Sequence, residues 1–435
     1  MNGSSPSLKA WTLIGFFGLI LGAPPWVQVG LEWSRGERIQ AVDIFRYAPR
    51  SENLRRYERT LEERSWFPVV TRRAMREGLF ALLGETGQEA LTGKGGWLFY
   101  RPGVRYLLEQ DRLEMASAQS PWRDSGIVTR RHEALLVIRH FRDELRERGI
   151  RLLIVPVPGK ASVYPDRLSG RYRERLEAFR SPTQDFLEEL EAADVEVVDL
   201  FSLYRERRDG QPGEDLYLEQ DTHWTPRGAE LASEAIGARL SALGWVDAGT
   251  NSFGLREARV RRHGDIIEMT EIEGLRRRFP GQVVTARQVI DPELGLLVPS
   301  RSDRPGTYRD PRGQSSVLLL GDSFSRVYQY AEPQSLGERI ESDQGDLPRE
   351  PDPAVAARLF PGSAGLAAHL ARILGAPVDA IVSDGGASTD VRRRLSVNPE
   401  ILEGKRVVIW EFVERDLALG EWDAVPLPRR LGATL

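Results

Sequence analysis

The most informative segment of this 435-residue chain covers residues 316–325 and reads SVLLLGDSFS. Its first half is a continuous apolar run, which is typical of a strand buried on both faces. Gly321 then permits a sharp turn, and Ser323 would be presented at the sheet edge with its N–H free to donate. A serine placed in this way can act as a nucleophile. Gly-Asp-Ser is also ordinary turn and helix-cap chemistry, so this segment alone leaves both interpretations open.

Outward from this strand, short apolar runs alternate with amphipathic stretches. The predicted strands lie at residues 152–157, 195–200, 378–382 and 406–410, and the predicted helices at 132–148, 184–192, 227–243 and 364–374. This alternation predicts an α/β fold in which helices cover both faces of a parallel sheet. Between about residues 243 and 314 the alternation is lost, and we expect a loop-rich insertion there.

A second segment with candidate catalytic residues covers residues 220–226 and reads QDTHWTP. In an extended backbone, residues i and i+2 point to the same side. The Asp221 carboxylate can therefore accept a hydrogen bond from Nδ1 of His223 and leave Nε2 as a base. Thr225 followed by Pro226 is typical of a helix start. The alternative is structural: the aspartate and threonine cap the helix, and the histidine packs beside the neighbouring tryptophan.

Composition and charge exclude several classes of function. The chain has 60 lysines and arginines against 64 aspartates and glutamates, for a formal net charge of −4. The basic residues are interleaved with acids, so we expect no nucleic-acid partner. The chain has no cysteine, which excludes disulfides, thiolate metal sites and a cysteine nucleophile. Its five histidines form no pair at the spacing of a helical metal motif, so we expect no metal and no cofactor.

The N-terminal region has the composition of a membrane span. Residues 10–31 contain no charged side chain. As a helix they would be about 33 Å long, enough to cross a bilayer core of about 30 Å. We expect an uncleaved anchor, with a cleaved signal sequence or a buried soluble helix as alternatives. No second apolar run of this length follows, so we expect the rest of the chain outside the cytoplasm, tethered by one helix.

The two chemical segments together resemble a known family. DTHW at residues 221–224, upstream of GDSF at residues 321–324, is similar to the AlgJ/AlgX group of polysaccharide O-acetyltransferases, whose catalytic domain is SGNH-hydrolase-like. Further matches lie at residues 95–99, 155–165, 264–266, 385–388 and 410–412 with Arg415. The combination and its order are specific, whereas each piece alone is not.

This resemblance implies an architecture and a location. The fold would be a three-layer α/β/α arrangement with a parallel sheet, preceded by one transmembrane helix. Residues 1–33 would form the membrane anchor, 34–92 a helical stalk or packing segment, and 93–435 the SGNH-like catalytic domain. The protein would be held in the inner membrane by a single pass, with its catalytic domain in the periplasm. There it would acetylate hydroxyls of an exported polysaccharide, as in alginate biosynthesis, with acetyl groups from a membrane-bound O-acyltransferase of the AlgI type.

The resemblance also implies residue roles. Ser323 would be the nucleophile that carries the acetyl group, His223 the base, and Asp221 the acid that orients the histidine. The oxyanion hole would combine the N–H of Ser323 with N–H groups of Gly385 and Gly386, which the strand pattern also places at a sheet edge. A plain tight turn is the alternative reading of these two glycines.

Four further residues are candidates for contacting the polysaccharide: Trp410, Tyr328, Tyr330 and Arg415. The aromatic rings would stack on sugar, although aromatic residues near a strand end are more often part of the core.

Two other functions stay open at this point. A carbohydrate acetylesterase would form the same acyl-enzyme but release the acetyl group to water. A non-catalytic polysaccharide-binding or assembly protein would use neither the serine nor the histidine as a reacting group.

Overall fold

The computed structural model describes residues 8–46, 48, 50–108, 126–171, 179–211, 213–291, 295–296, 300–301, 307–310, 312–329, 337–340 and 363–428. The chain divides into two compact units. The first unit comprises residues 1–85 and 271–274, and the second comprises residues 86–270 and 275–435.

The first unit is helical. It contains α1 (Leu8–Ser34), a 3₁₀ helix at Gln40–Phe45, α2 (Ser51–Arg64) and α3 (Trp66–Leu83). By length and composition, residues Trp11–Ser34 of α1 fit a single membrane span. α3 ends at Gly84, which adopts a left-handed conformation with φ of 68° and donates its N–H to the last turn.

The second unit is built on strands β1 (Ala90–Thr92), β2 (Leu98–Tyr100), β3 (Arg151–Val157), β4 (Glu196–Val197), β5 (Gly254–Arg262), β6 (Gln282–Asp291), β7 (Gly295–Leu296), β8 (Ser300–Arg301), β9 (Thr307–Arg309), β10 (Val317–Gly321), β11 (Gly337–Ile340), β12 (Val378–Val382) and β13 (Val407–Val413). The main sheet has the order β4-β3-β13-β10-β12-β9-β8. Its first five strands are parallel, as expected, whereas β9 and β8 add antiparallel pairs at one edge.

The longer helices of this unit are α4 (Gly126–Arg146), α5 (Pro182–Ala192), α6 (Leu200–Gly210), α7 (Pro226–Ala242), α8 (Leu366–Leu374) and α9 (Asp390–Ser396). Shorter helical turns lie at Lys94–Gly96, Lys160–Val163, Pro165–Leu168, Asp265–Thr270, Glu273–Arg278, Ser323–Arg326, Pro399–Leu402 and Asp416–Leu419. Every residue of β10 and β13 is buried. Successive strand residues point to opposite faces, so both faces of the sheet are covered, as the sequence predicts for an α/β fold.

Strand register determines which loops meet. β10 lies between β12 and β13, with Gly321 opposite Val382 and Leu320 opposite Trp410. Because the three strands are parallel, the residues that follow each of them emerge at the same edge of the sheet. The segments after Gly321, Val382 and Val413 are therefore neighbours.

The interpretation of residues 243–314 as a loop-rich insertion is wrong. This region contains β5 and β6, which pair antiparallel over nine residues and form a second sheet of order β11-β5-β6-β7. At the end of β5 the residues facing inward are Ala258, Val260 and Arg262, so the alternation is present but includes a buried arginine. The strand expected at 195–200 is also shorter. Asp199 instead caps α6 by accepting the N–H groups of Phe201 and Ser202.

One buried carboxylate ties several of these elements together. Glu414, directly after β13, accepts the N–H of Gly159 at 2.6 Å and the hydroxyls of Ser181 at 2.5 Å and Thr183 at 3.1 Å. The hydroxyl of Ser162 donates to the same carboxylate. The side chain thus joins the ends of β13 and β3 to the start of α5.

We expect Glu414→Ala to lower the free energy of unfolding by about 3 kcal/mol, because it leaves several buried donors without an acceptor. Glu414→Gln should cost less, since the amide oxygen still accepts hydrogen bonds. Thermal unfolding of the full chain in detergent measures both. The control is Glu403→Ala, at an exposed position. A melting temperature of Glu414→Ala equal to that of the control would contradict the bridging role.

Candidate active site

The Asp221–His223 pair has the geometry that its spacing predicts. Oδ1 of Asp221 lies 2.7 Å from Nδ1 of His223 and also accepts the His223 backbone N–H at 3.0 Å. Both side chains are buried. The pair immediately precedes α7, where Thr225 is the N-cap and accepts the N–H of Gly228 at 3.2 Å. The cap and the hydrogen bonds hold the imidazole in one orientation.

The Asp221 carboxylate is charge-compensated inside the protein. Its Oδ2 atom lies 3.1 Å from the guanidinium of Arg262, the last residue of β5, and both side chains are only 1% exposed. Burial alone would raise the pKa of Asp221, but the charge of Arg262 and the hydrogen bonds from His223 hold this pKa well below its usual value. Asp221 therefore stays ionised and can stabilise a protonated imidazole.

A second carboxylate faces the same imidazole nitrogen. Oδ2 of Asp265 lies 3.4 Å from Nδ1 of His223. Thr222 fixes this carboxylate, donating its N–H at 2.6 Å and its hydroxyl at 2.5 Å. Burial and the nearby charge of Asp221 raise the pKa of Asp265 to about 6. Gly264, at φ of 85°, permits the close approach, because a Cβ there would lie 2.4 Å from the carbonyl oxygen of Gln220.

Asp221, His223 and Asp265 also form a set of donor atoms that lie within 4.8 Å of one another. Two features favour hydrogen bonding over metal ligation at this cluster. The Arg262 guanidinium already neutralises Asp221 and would repel a cation. The 2.7 Å separation is that of a direct hydrogen bond between Nδ1 and the carboxylate.

Ser323 begins the short helix Ser323–Arg326 directly after β10. Asp322 is the N-cap residue, accepting the Phe324 N–H at 2.8 Å, while its other oxygen accepts the Val413 N–H at 3.0 Å. Gly321 is required by close packing, because a Cβ there would lie 2.2 Å from Oγ of Ser325. Ser323 is half-buried, and its hydroxyl has no hydrogen-bond partner among the described residues.

The serine turn and the histidine segment meet through an aromatic side chain. The Phe324 ring lies 4.8 Å from the His223 ring and 5.1 Å from the Trp224 ring, measured between centroids. Within the described part of the chain, Nε2 of His223 is buried and has no hydrogen-bond partner. The structure thus places the two segments side by side without a hydrogen bond between Ser323 and His223. Catalytic hydrogen bonds are often long before substrate binds, so this geometry is compatible with a base awaiting its proton.

The proposed oxyanion donors differ in their availability. Ser323 is the first residue of its helix, so its N–H has no acceptor within that helix. The Gly386 N–H donates to the carbonyl of Ser383 at 3.0 Å, so it is not free for an oxyanion. Gly385 is exposed, with φ of 62°. Its loop is held near the serine turn by an ion pair of 2.6 Å between Arg326 and Asp384.

The structure does not support stacking of Trp410 and Tyr328 on sugar. Trp410 is fully buried, donates its indole N–H to the carbonyl of Ala387 at 2.8 Å and packs among other core aromatic rings. Tyr328 is also fully buried, and its hydroxyl donates to the carbonyl of Trp224 at 3.0 Å. Tyr330 lies outside the described residues.

Arg415 is the remaining substrate candidate. Its guanidinium lies 5.2 Å from the centre of the Tyr100 ring. Both residues line a small cavity together with Thr222, the residue between the aspartate and the histidine of the pair. Arg415 is thus close to the candidate site in space, although nearly 200 residues separate it from His223 in the chain.

Sequence reasoning missed three buried groups around the site: Arg262, Asp265 and Glu411. Asp265 lies in residues 264–266, one of the segments that match the family. That match was the signal available in the sequence, but it did not indicate a role for the carboxylate. Glu411 accepts the hydroxyl of Ser325 at 2.5 Å and the N–H of Asp322 at 3.1 Å, directly beneath the serine turn. Burial, followed by the charge of Asp322, raises the pKa of Glu411 well above its usual value.

Comparison with known proteins identifies the family of this chain. The family model for the SGNH hydrolase-like domain of the acetyltransferase AlgX matches residues 90–346. The probable alginate O-acetylase AlgJ of Pseudomonas aeruginosa is 26% identical over 253 residues, covering 57% of this chain and 58% of that protein. AlgJ of Pseudomonas fluorescens is 30% identical over 324 residues, covering 73% of this chain and 69% of that protein. The chain thus spans less than two thirds of the P. aeruginosa protein but slightly more than two thirds of the P. fluorescens protein.

A solved structure shares the fold. The O-acetyltransferase domain of Pseudomonas putida AlgJ superposes with a TM-score of 0.51 at 19% identity, covering 76% of this chain and 92% of that one. The matched family model spans more than half of the chain and includes the Asp221–His223 and Ser323 segments. The chain therefore belongs to the family of AlgX-type SGNH hydrolase-like acetyltransferase domains.

Proposed function

We propose that this protein is a polysaccharide O-acetyltransferase that works through an acetyl-serine intermediate on Ser323. His223 is the general base and Asp221 orients it. The observation that carries the proposal is the hydrogen bonding of the two nitrogens of the His223 imidazole. Its Nδ1 is bound to Asp221, whereas Nε2 is buried without a partner beside the serine turn. A base held at Nδ1 with a free Nε2 is the partner that a serine nucleophile needs for activation, which supports the proposal.

In the first half-reaction, Oγ of Ser323 attacks the carbonyl carbon of an acetyl donor, and Nε2 of His223 takes the hydroxyl proton. The negative charge that develops on the carbonyl oxygen is stabilised by the Ser323 N–H. When the bond to the leaving group breaks, the imidazolium returns the proton to that group. The acetyl-serine ester is left behind.

In the second half-reaction, a sugar hydroxyl attacks the acetyl-serine and gives its proton to Nε2 of His223. The tetrahedral intermediate then expels Oγ of Ser323, which recovers the proton. Asp221 and Asp265 both face Nδ1, so two carboxylates favour the imidazolium in each half-reaction. The balance between transfer and hydrolysis depends on whether sugar or water reaches the ester first.

The family and α1 support the partners of this proposal. The curated relatives are named probable alginate O-acetylases, which supports an exported polysaccharide of the alginate type as acceptor. α1 fits a single-pass anchor, which supports a place in the inner membrane with the second unit in the periplasm. A membrane-bound O-acyltransferase of the AlgI type would supply the acetyl group.

We expect Ser323→Ala to lower acetyl transfer by at least about 10³-fold, because the nucleophile is lost. The substitution removes a half-buried hydroxyl without a partner, so folding should be unaffected. The assay supplies an artificial acetyl ester to the full chain in detergent and locates the acetylated peptide by mass spectrometry. Ser396→Ala, which changes a serine at the end of α9, is the matched control. Acetylation at the same rate in Ser323→Ala would identify a different nucleophile.

The same assay separates transfer from hydrolysis. We expect slow acetate release in water and faster turnover when alginate oligosaccharide is added, with the acetyl group recovered on the sugar. Rapid acetate release with no acetylated sugar would establish an esterase. Absence of any acetyl-enzyme, in a chain that still binds the oligosaccharide, would favour a non-catalytic binding protein.

We expect Asp265→Asn to lower the rate constant at neutral pH by about tenfold, which corresponds to one charge interaction of about 1.4 kcal/mol. Because the pKa of Asp265 is about 6, its carboxylate is ionised above that pH and favours the protonated imidazole. The variant loses this charge, so the imidazolium is less favoured and a lower pH is needed to protonate the base. The acid limb of the pH–rate profile should therefore move to lower pH.

The control for this experiment is Asp247→Asn, which removes a carboxylate whose side chain is 84% exposed. Asp221→Asn should be far more damaging, by about 10³-fold or more, because it also loses the hydrogen bond that sets the imidazole tautomer. An Asp265→Asn variant with reduced activity but an unmoved acid limb would show that Asp265 serves only the structure of the loop.

A further inference from the structure

The outer face of α3 carries an apolar strip near its C-terminal end. Met75, Leu79, Leu82 and Leu83 recur at the spacing of one helix face, and their side chains are 66%, 41%, 84% and 71% exposed. A helix on a soluble protein normally turns such a face inward. On α3 it faces outward instead, and none of the described residues covers these side chains.

The opposite side of α3 is already packed within the same unit. The Glu77 carboxylate accepts the N–H groups of Glu273 at 2.5 Å and Gly274 at 3.1 Å. The Phe80 ring lies so close to Gly274 that a Cβ there would come within 3.2 Å of it. Contacts on this side fix the rotation of α3 about its own axis, so the strip cannot turn inward without breaking them.

One hydrogen bond joins the start of α3 to the candidate membrane span. The backbone N–H of Trp66, the first residue of α3, donates to Oε1 of Gln28 at 2.9 Å. Gln28 lies in the candidate span Trp11–Ser34, six residues before its end. Six residues of helix correspond to about 9 Å, which is the depth of the boundary between lipid headgroups and acyl chains. α3 therefore starts at the level of the membrane interface.

Two neighbouring features fit an interface. Trp33, near the end of the span, and Phe45, in the 3₁₀ helix that follows it, are 79% and 87% exposed. Aromatic side chains concentrate at this level of a bilayer. Arg72, one turn before Met75, is exposed on the same side of α3 as the strip, and α3 carries three arginines against one glutamate. Basic residues beside an apolar helix face complement anionic phospholipid headgroups.

We propose that α3 is a second membrane contact. Met75, Leu79, Leu82 and Leu83 insert into the headgroup boundary of an anionic bilayer while Arg72 binds phosphate. A lipid surface is favoured over a second copy of the chain because four side chains are too few for the roughly 800 Å² per partner of a standard protein interface. A bilayer is also the environment that α1 already requires. The proposal is independent of the acyl-transfer chemistry.

The absence of cysteine in the chain allows a direct test with single labels. The full-chain variant Leu82→Cys carries an environment-sensitive fluorophore and is reconstituted into vesicles of phosphatidylcholine with phosphatidylglycerol. Quenching is measured with iodide in the water and with lipids that carry a quencher near the headgroup. Val397→Cys, an exposed apolar position in the second unit, reports ordinary water exposure, and Phe17→Cys reports the span.

We expect the label at residue 82 to be quenched by the lipid-borne quencher and to be at least about threefold less accessible to iodide than the label at residue 397. The substitution Arg72→Glu should reduce lipid quenching at residue 82 in the anionic vesicles and have little effect in pure phosphatidylcholine.

Three outcomes overturn the proposal. Equal iodide quenching at residues 82 and 397 would place the strip in water. Protection from iodide without lipid quenching would show that protein covers the strip, as in a self-associated form. If lipid quenching is lost at residue 17 as well as at residue 82, neither the span in α1 nor α3 contacts the bilayer. None of these results changes the expected chemistry of Ser323, which the acetylation assay tests separately.

Discussion

A carboxylate can be buried only where its charge is compensated, and the candidate site is built around one such group. Asp221 is 1% exposed and is held by the Arg262 guanidinium, two N–H groups of His223 and the Asp265 N–H. Removing the arginine would leave a buried charge without its partner, which typically costs 3–5 kcal/mol. Because Arg262 ends β5, the second sheet is what makes an ionised Asp221 possible. The tautomer of His223, and hence the free Nε2, depends on that pairing.

The serine turn depends on buried acids of another kind. Asp322, Glu411 and Asp416 lie near one another beneath the turn, and burial with the charge of Asp322 raises the pKa of Asp416 to about 7. Burial, followed by the charge of Asp322, also raises the pKa of Glu411 well above its usual value. Its oxygen accepts the Ser325 hydroxyl in the space that a side chain at residue 321 would occupy. Gly321 is therefore needed both for the turn and for room beneath it.

Local patterns made part of this arrangement predictable. The apolar run before Gly321 predicts β10, and the i, i+2 spacing predicts the hydrogen bond between Asp221 and His223, which the structure contains. Both depend only on residues close in the chain.

Long-range pairing explains what sequence reasoning missed. In a sequence, Arg262 looks like a surface residue among other arginines, and only the pairing of β5 with β6 buries it against a carboxylate 41 positions away. The prediction for Trp410 was wrong, because this residue was expected to contact sugar and is buried. Its position at a strand end indicated a sugar contact, but the ring lies under the chain near Trp422, which the sequence pattern did not connect with it.

The proposed membrane location would have a consequence for the choice between transfer and hydrolysis. An acetyl-serine ester is exposed to water at about 55 M, so transfer to sugar requires either a shielded ester or a high local concentration of donor and acceptor. Confining the proposed donor and this protein to one membrane would raise their effective concentrations without a tight interface between them. If α3 also lies on the bilayer, the first unit has two membrane contacts and its rotation about the span is restricted. A restricted anchor samples fewer orientations than a single flexible span, which reduces the entropy lost each time donor and serine meet.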